Sequence, residues 1–320
     1  MAPTSLVTGC AGFIGSHLSE KLLAEGHQVI GLDCFTSYYD RAIKERNLSV
    51  ARSHPQFRFI DGNILEQDWS VLLEGVDYLF HQAAQAGVRS SWDQFPVYTT
   101  HNINATQVLL EAARFASLRR FIFASTSSIY GDAEAYPTAE TLAPRPVSPY
   151  GVTKLAAERL GQIYYQNFGV PFVALRYFTV YGPRQRPDMG FHKFIQAAFA
   201  GRPLQVYGDG LQTRDFTYIA EVVEANLRAA LTDNPVNGEV INIGGGSRVV
   251  LKDVLKLIGE LTGYPVQQVH ISPQAGDARH TAADITKARN LLDYNPQFSL
   301  VTGLKQQVVW LRESTVALAT

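Results

Sequence analysis

The sequence has few of the features that mark secreted, membrane or nucleic-acid-binding proteins. Only two of its 320 residues are cysteines, Cys10 and Cys34. Both lie at the ends of neighbouring predicted strands, so one bridge is conceivable, but two reduced structural thiols are expected in a cytosolic protein. No apolar run approaches the ~18 residues that a membrane helix needs. The start of the chain lacks the charged region, apolar region and cleavage site of a secretory signal. We therefore expect a cytoplasmic enzyme or binding protein with no membrane partner.

Neither positive nor negative charge predominates in the sequence. The formal net charge is −1, and no basic stripe is present, so a nucleic-acid partner is not expected. No group of His, Cys, Asp and Glu has metal-ligand spacing, so no metal is expected either. Any anionic ligand must therefore be bound by a few individually positioned Lys or Arg side chains.

What the first half does contain is a regular alternation of short apolar runs and amphipathic segments. Helix-like segments are Ile14–Glu25, Gln67–Leu73, Pro96–Ala116 and Tyr150–Phe168. Parallel strands require crossover helices, so this alternation predicts an α/β fold with a doubly wound parallel sheet. The candidate strands are Ser5–Thr8, Gln28–Asp33, Phe57–Asp61, Tyr78–Gln82, Arg120–Ser125 and Phe172–Arg176.

From about Tyr177 prolines and glycines become frequent and the alternation is lost. We expect a sheet domain over residues 1–176 and a second, smaller α/β lobe over 177–320. The run Glu239–Gly246 resembles one more buried strand, so the chain is expected to return to the sheet domain within 217–245.

A glycine-rich turn follows the first strand and opens the first helix. Its spacing, GxxGxxG, is set by Gly9, Gly12 and Gly15, with Phe13 and Ile14 between the last two. Such a turn lets backbone N–H groups approach a pyrophosphate, although glycine turns also serve packing alone. The second strand ends at Asp33, where a carboxylate meets the adenosine ribose in a Rossmann unit and repels a 2′-phosphate. The glycine-rich turn and Asp33 together predict that the bound cofactor is NAD rather than NADP.

Further cofactor contacts are expected at the ends of the third and fourth strands, which face the ligand crevice of a doubly wound sheet. Asn63, beside Ile64, can hydrogen-bond adenine. Ala83 and Ala84 have small side chains, which leave space in the crevice for the cofactor to pass. His81 lies in an apolar strand end and is interpreted as a packed core histidine.

A second motif, Tyr150-Gly-Val-Thr-Lys154, places a phenol and an ammonium one helical turn apart. An adjacent cation lowers the pKa of a phenol, which makes it a usable base. Lys154 can also hold the nicotinamide ribose, and Thr126 can bind the oxygen that is oxidised. The spacing alone is weak evidence, but it occurs here with the glycine turn, Asp33 and a hydroxyl cluster.

With these motifs the chain resembles the extended short-chain dehydrogenase/reductase family, and within it the sugar-nucleotide epimerases, over nearly its whole length. The resemblance implies a Rossmann domain that binds NAD, a lobe that binds a UDP-sugar, and catalysis by Thr126, Tyr150 and Lys154. It also implies transient oxidation at C4 of the sugar. The matching segments are Thr8-Gly-Cys-Ala-Gly-Phe-Ile-Gly-Ser-His17, Ala83-Ala-Gln-Ala-Gly-Val-Arg89, Ser125-Thr-Ser-Ser-Ile-Tyr-Gly131, Ser148-Pro-Tyr-Gly-Val-Thr-Lys154, Arg176-Tyr-Phe-Thr-Val-Tyr-Gly-Pro-Arg-Gln-Arg-Pro-Asp-Met189 and Gly208-Asp-Gly-Leu-Gln-Thr-Arg-Asp-Phe-Thr-Tyr218.

Positions at which this chain departs from the family's sequence patterns reduce the number of reactions that it is expected to catalyse. Asn63 replaces a usual aspartate, which puts the adenine contact in doubt. Dehydratases carry Asp-Glu after the catalytic threonine, where this chain has Ser127 and Ser128, and decarboxylases carry glutamate at the latter position. Thr179 replaces the asparagine of UDP-glucose 4-epimerases. The chain most resembles UDP-glucuronate 4-epimerases; UDP-glucose 4-epimerisation and UDP-glucuronate decarboxylation are the alternatives.

For the substrate, we expect Thr126, Ser127, Ser128 and Thr179 to surround the C6 carboxylate, since charge-assisted hydrogen bonds are strong. These hydroxyls can instead cap backbone groups. Four arginines are assigned to the rest of the ligand, although each can be a surface ion-pair partner: Arg214 and Arg279 to the diphosphate, Arg89 and Arg186 to the sugar end.

Two expectations concern the whole molecule. The segments Pro96–Ala116 and Tyr150–Phe168 carry apolar residues on more than one face. In the family this pair of helices forms a dimer interface, so a homodimer is expected. A regulatory NAD-binding protein without activity is the competing hypothesis, and the presence of Thr126, Tyr150 and Lys154 together argues against it.

Overall fold

The computed structural model describes residues 2–272 and 274–316. Its twelve named strands are β1 Thr4–Thr8, β2 Gln28–Asp33, β3 Phe57–Asp61, β4 Tyr78–His81, β5 Arg120–Thr126, β6 Phe172–Tyr177, β7 Thr179–Tyr181, β8 Leu204–Tyr207, β9 Thr213–Tyr218, β10 Val240–Ile243, β11 Arg248–Val250 and β12 Gln268–Ile271. Its α-helices are α1 Phe13–Ala24, α2 Arg41–Arg52, α3 Trp69–Leu72, α4 Ser90–Asp93, α5 Phe95–Tyr98, α6 Ala105–Ala113, α7 Pro149–Phe168, α8 Gly190–Phe199, α9 Ile219–Leu231, α10 Leu251–Thr262, α11 Thr286–Leu292 and α12 Leu300–Val316.

Seven strands form a parallel sheet in the order β10-β6-β5-β4-β1-β2-β3. The order reverses between β1 and β4, which opens a crevice at the carboxyl ends of the strands. This confirms the predicted α/β fold with a doubly wound parallel sheet. β10 lies beside β6, with Val240 opposite Ala174, so the chain does re-enter the sheet after leaving it.

Side chains alternate across the sheet and build a core on each face. Phe80, Ile122 and Val173 belong to a cluster shared with α1 and α9. Their sequence neighbours Leu79, Phe121 and Phe172 belong to a second cluster shared with α6 and α7. Strands buried on both faces are continuously apolar, which is why they were recognisable from sequence.

Two helical segments differ from the prediction. The sequence analysis did not predict α2, because its buried face contains Lys44 and Asn47 and is therefore only partly apolar. The segment predicted as one helix over Pro96–Ala116 consists of α5, a π-helical stretch Thr99–Asn104 and α6. The π-helical stretch buries Asn102, and such stretches are frequent at functional sites.

The smaller lobe contains a three-stranded sheet, β11-β9-β7, and a two-stranded sheet, β12-β8, with α8, α10 and α12 packed around them. β7 directly follows β6, so this part of the chain begins at the carboxyl edge of the large sheet, where Tyr177 and Arg186 line a cavity. In residues 2–272 and 274–316, no helix combines the length and apolarity required to cross a membrane.

Candidate active site

The glycine-rich turn packs so closely against the residues after β4 that a side chain larger than that of glycine would collide with their backbone. Gly9 has φ +70°, and a Cβ there would lie 2.7 Å from the backbone nitrogen of Ala83. A Cβ on Gly15 would lie 2.1 Å from the carbonyl oxygen of Gly9. Gly12 precedes α1 and gives its first turn no side-chain cap. The first N–H groups of α1 are therefore available to a phosphate.

Asp33 stands at the end of β2, on the wall of the same cavity. Its two carboxylate oxygens accept hydrogen bonds from the backbone N–H groups of Ala11 (3.1 Å) and Phe35 (2.9 Å). Burial raises the pKa of Asp33, and the nearby Lys44 opposes this. Each carboxylate oxygen can accept a second hydrogen bond, so these contacts leave capacity for a ribose hydroxyl.

The other predicted cofactor residues line this cavity as well: Phe13, Ile14, Asn63, Ile64, Ala83, Ala84, Tyr150 and Lys154. The carboxamide oxygen of Asn63 accepts from the N–H of Leu65 and caps a short 3-10 turn, so contact with adenine stays a prediction. The uncapped helix start, the glycine turn and the carboxylate together fit NAD.

Sequence reasoning missed several residues of the cofactor cavity, namely Thr36, Tyr38, Tyr39, Lys44, Gln85 and His101. Most follow β2, in a stretch without apolar periodicity. Lys44 donates to the carbonyl oxygen of Thr36 (2.6 Å) and lies over the ring of Tyr39. The signal that was available is the position of this stretch directly after Asp33, at the carboxyl edge of the sheet.

Tyr150 and Lys154 lie in the first two turns of α7. Ser148 caps the helix by accepting a hydrogen bond from the N–H of Gly151 (3.1 Å), which places Tyr150 at the helix start. Burial raises the pKa of Tyr150, while Arg186 and a hydrogen bond with Thr126 lower it. Burial lowers the pKa of Lys154 to about 7, while Glu158 opposes the shift. Arg186 was not predicted as a cation acting on the phenol.

A second cavity, of about 850 Å³, opens on the lobe side of Tyr150. Ser125, Tyr150, Tyr177 and Arg186 line both cavities, so the two meet at the phenol. Most predicted substrate residues line the second cavity, together with Thr126: Arg89, Ser127, Ser128, Thr179, Arg186 and Arg214.

The hydroxyl groups near Tyr150 differ in their hydrogen bonding. Thr126 accepts from the N–H of Ser128 (3.1 Å), so it caps a 3-10 turn in addition to facing Tyr150. The side chains of Ser127, Ser128 and Thr179 form no hydrogen bond with any part of the chain that the structure describes. They line the cavity and are available to a ligand.

The four arginines occupy different settings. Arg186 forms a bidentate ion pair with Asp188, whereas Arg89 pairs with Asp277 (3.2 Å) and lies over the ring of Tyr207. Arg214 donates to two carbonyl oxygens and borders the cavity.

Arg279 is exposed and pairs with Asp209 (2.7 Å), and it does not line the cavity, although its neighbour Ala278 does. Its assignment to the diphosphate stays a prediction.

His81 bridges two threonines, with Nδ1 2.8 Å from the hydroxyl of Thr8 and Nε2 3.0 Å from that of Thr106. Burial, followed by the charge of Lys154, lowers the pKa of His81 to about 3. It is a neutral core residue. Within residues 2–272 and 274–316, no cluster of three or more His, Cys, Asp or Glu side chains is arranged to bind a metal.

Comparison with known proteins agrees with this geometry. Residues 5–244 match the model of the NAD dependent epimerase/dehydratase family. An uncharacterized UDP-glucose epimerase, YtcB, of Bacillus subtilis (strain 168) is 48% identical over 96% of this chain and 97% of its own length. A UDP-glucuronate 4-epimerase of Thermodesulfobacterium geofontis (strain OPF15) is 36% identical over 97% and 96%. A solved structure, the UDP-glucuronic acid 4-epimerase of Bacillus cereus in complex with UDP-glucuronic acid and NAD, superimposes with a TM-score of 0.95 at 43% identity, over 97% of this chain and 99% of that one.

Proposed function

The chain belongs to the NAD-dependent epimerase/dehydratase family, and from that premise we propose that it is a UDP-glucuronate 4-epimerase, which converts UDP-glucuronate to UDP-galacturonate. The observation that carries the proposal is the set of hydroxyls of Ser127, Ser128 and Thr179. They line the second cavity beside Tyr150 and have no side-chain hydrogen-bond partner among residues 2–272 and 274–316. Hydroxyl donors suit a carboxylate, and charge-assisted hydrogen bonds are about twice as strong as neutral ones.

The chemical step begins at the junction of the two cavities. Gly9, Asp33 and Lys154 would hold NAD in the first cavity, where its nicotinamide would supply a reversible hydride acceptor for C4 of the sugar. Tyr150 accepts the proton of the C4 hydroxyl, and Thr126 holds the oxygen through a hydrogen bond. Tyr150 must act as the phenolate. Burial raises the pKa of Tyr150, while the charge of Arg186 and the hydrogen bond with Thr126 oppose that rise and so favour the phenolate.

Inversion requires the oxidised sugar to present its other face. The second cavity, of about 850 Å³, is the space in which the hexose ring would turn while the nucleotide stays bound. Tyr150 then returns the proton to the C4 oxygen. We assign the nucleotide to the lobe, residues 177–320, because Leu204–Tyr207 and Arg214 from this part of the chain line the second cavity. The cofactor is assigned to residues 1–176, which supply most of the first cavity.

The carboxylate must also be restrained. Oxidation at C4 places a ketone β to the C6 carboxylate, a group that loses CO2 when the C5–C6 bond aligns with the carbonyl π system. Ser127, Ser128 and Thr179 can hold the carboxylate away from that alignment. Ser128 stands where decarboxylases carry a glutamate, which supports epimerisation over decarboxylation.

One finding favours UDP-glucose 4-epimerisation as the second candidate. The Bacillus subtilis relative, 48% identical, is named an uncharacterized UDP-glucose epimerase. In agreement with a neutral sugar, Asp188 neutralises Arg186 on the wall of the second cavity. The test is a product assay with UDP-glucuronate, UDP-glucose and UDP-xylose side by side. We expect UDP-galacturonate as the main product; a higher kcat/KM for UDP-glucose would overturn the substrate assignment, and release of a pentose would indicate decarboxylation.

We further propose a homodimer in the cytoplasm. Phe95, Phe115, Ile163 and Phe168 are apolar and exposed on α5, α7 and the end of α6, and Phe115 is 81% exposed. A second copy of this chain can cover this face. Cys10 and Cys34 are free, which suits a reducing compartment.

Sedimentation of Ile163→Glu should show a monomer, while Val301→Glu, an equally exposed valine on α12, should leave the assembly unchanged. A monomeric wild type, or a dimeric Ile163→Glu variant, would refute the dimer.

A further inference from the structure

A fully buried ion pair lies one helical turn beyond Lys154. Glu158 and Arg176 are both buried, and the guanidinium of Arg176 donates to both carboxylate oxygens of Glu158, at 2.6 and 3.1 Å. Ser125, on the wall of both cavities, donates a third hydrogen bond to Glu158 (2.6 Å). The pair therefore joins α7, β5 and β6 directly behind the catalytic residues.

The network continues away from the site. Arg176 donates to the hydroxyl of Tyr130 (2.6 Å), and Tyr130 donates to the carboxamide oxygen of Asn242 on β10 (2.8 Å). Asn242 in turn donates to the carbonyl oxygen of Thr138 (2.9 Å). Every polar group of this chain of contacts is satisfied, so the carboxylate of Glu158 is held in one position.

Stability alone does not account for this pair. Removing two charges from water costs several kcal/mol per ion, and apolar residues of the same volume often stabilise a core as well or better. A buried carboxylate so close to the active site is thus expected to act on a neighbouring charge. The neighbouring charge is the ammonium of Lys154. Lys154 and Glu158 are four residues apart on α7, and residues with this spacing lie on the same face of a helix.

From this geometry we propose that Glu158, fixed by Arg176 and Ser125, is the positioning residue that keeps the Lys154 ammonium protonated at the active site. The amine is buried, with its nitrogen 4.1 Å from the centroid of the Phe123 ring. An aromatic face and a carboxylate both favour the cationic form. Burial lowers the pKa of Lys154 to about 7, and Glu158 raises it, so without this carboxylate the amine loses its proton at lower pH.

Other titratable groups surround Lys154 and do not replace Glu158. His81 of β4 is neutral, since burial and Lys154 itself lower its pKa. Burial also lowers the pKa of His101, in the π-helical stretch. Tyr150 on α7, with Tyr98 of α5 against its ring, is a phenol whose pKa burial raises. None of these groups is an anion at neutral pH, and Arg176 is the cation that Glu158 already neutralises.

The decisive experiment reads the charge of Lys154 without turnover. Full-length protein labelled with ¹³Cε-lysine is titrated by NMR, and the Lys154 signal is assigned by its absence in Lys154→Met. We expect Glu158→Gln to lower the titration midpoint of Lys154 by about one pH unit or more. Glu224→Gln, which removes the carboxylate of another helical Glu–Arg pair, should leave the midpoint unchanged. An unshifted Lys154 in a folded Glu158→Gln variant overturns the proposal.

Glu158→Gln leaves a buried guanidinium unpaired and can unfold the chain. The double variant Glu158→Gln with Arg176→Met removes both charges. A smaller downward shift is expected there, because loss of the Arg176 cation partly offsets loss of the Glu158 anion, and an unchanged midpoint again refutes the role.

The turnover readout rests on the proposed function. In the alkaline limb of the pH–kcat profile, Glu158→Gln should move the loss of activity to lower pH. If no UDP-sugar is turned over, the proposed function fails while the NMR titration still decides the role of Glu158.

Discussion

The guanidinium of Arg186 donates two hydrogen bonds, each 2.9 Å long, to the two carboxylate oxygens of Asp188 at the junction of the cofactor and sugar cavities. Tyr38, from the loop after β2, donates to the same carboxylate at 3.2 Å. Asp188 thus neutralises a cation that lines both cavities. If the second cavity binds the proposed UDP-sugar, an anionic sugar must compete with Asp188 for Arg186, whereas a neutral sugar need not.

This competition predicts the effect of Asp188→Asn. The substitution keeps the shape of the side chain and removes its charge, so Arg186 becomes available to the C6 carboxylate. We expect the KM for UDP-glucuronate to fall about tenfold, equivalent to ~1.4 kcal/mol, with little change for UDP-glucose. Steady-state kinetics with both substrates measure the ratio. Equal changes for the two sugars would show that Arg186 does not contact the carboxylate.

Tyr150→Phe should abolish turnover while NAD remains bound. The substitution removes the proton acceptor and little volume, and general acid–base catalysis contributes about 10²- to 10⁴-fold. Activity and the NAD content of the purified variant are measured together. Near-normal activity would refute the role of Tyr150, and loss of NAD would show a structural defect instead.

Asp33 should make the protein prefer NAD over NADP. The carboxylate repels a 2′-phosphate and can accept from ribose hydroxyls, so Asp33→Ala should weaken NAD binding by about 1.5–3 kcal/mol and reduce the discrimination. Calorimetry with both dinucleotides provides the measurement. A wild type that prefers NADP would mean that Asp33 does not face the ribose.

Loss of one carboxylate donor should release CO2. Thr179→Ala or Ser128→Ala removes a hydrogen bond worth about 1.5–3 kcal/mol, which corresponds to a change in partitioning of roughly tenfold or more. We expect weaker binding of UDP-glucuronate and a larger fraction of 4-keto-pentose, measured by chromatography and CO2 detection. Normal epimerisation by both variants, with no added pentose, would remove these hydroxyls from the carboxylate site.

The buried amine of Lys154 should make the stability of NAD-free protein depend on pH. Its pKa is lowered from 10.5 to about 7 in the folded state, so between those values the unfolded chain binds more protons and stability rises with pH. Each unit of difference corresponds to about 1.4 kcal/mol, and the full penalty is present below pH 7. Lys154→Met should be more stable than wild type at pH 7 and lose this advantage above about pH 10. Urea unfolding across that range tests it; parallel curves would show that Lys154 is not buried as an ammonium.

The sequence by itself determined the fold class and the motifs of the site. Strands buried on both faces must be continuously apolar, and Gly9 and Gly15 lie where a Cβ would collide with backbone. These are local requirements, so Asp33, Tyr150 and Lys154 could be proposed as site residues before any coordinates, and the structure places all three on one cavity. Arg89, Arg186 and Arg214 line one cavity, whereas their assignment to parts of a bound sugar nucleotide stays a prediction.

Only the tertiary structure decided which charged groups meet. Asp188 neutralises Arg186, Asp209 holds Arg279 outside the cavity, and Glu158 and Arg176 pair from two different elements. A sequence shows each charge but not its partner, because pairing depends on distances between elements far apart along the chain. For the same reason the break in the helix at Thr99–Asn104 was missed, since its residues carry ordinary helical periodicity and the packing of Asn102 against Gln85 and Thr153 decides the local geometry.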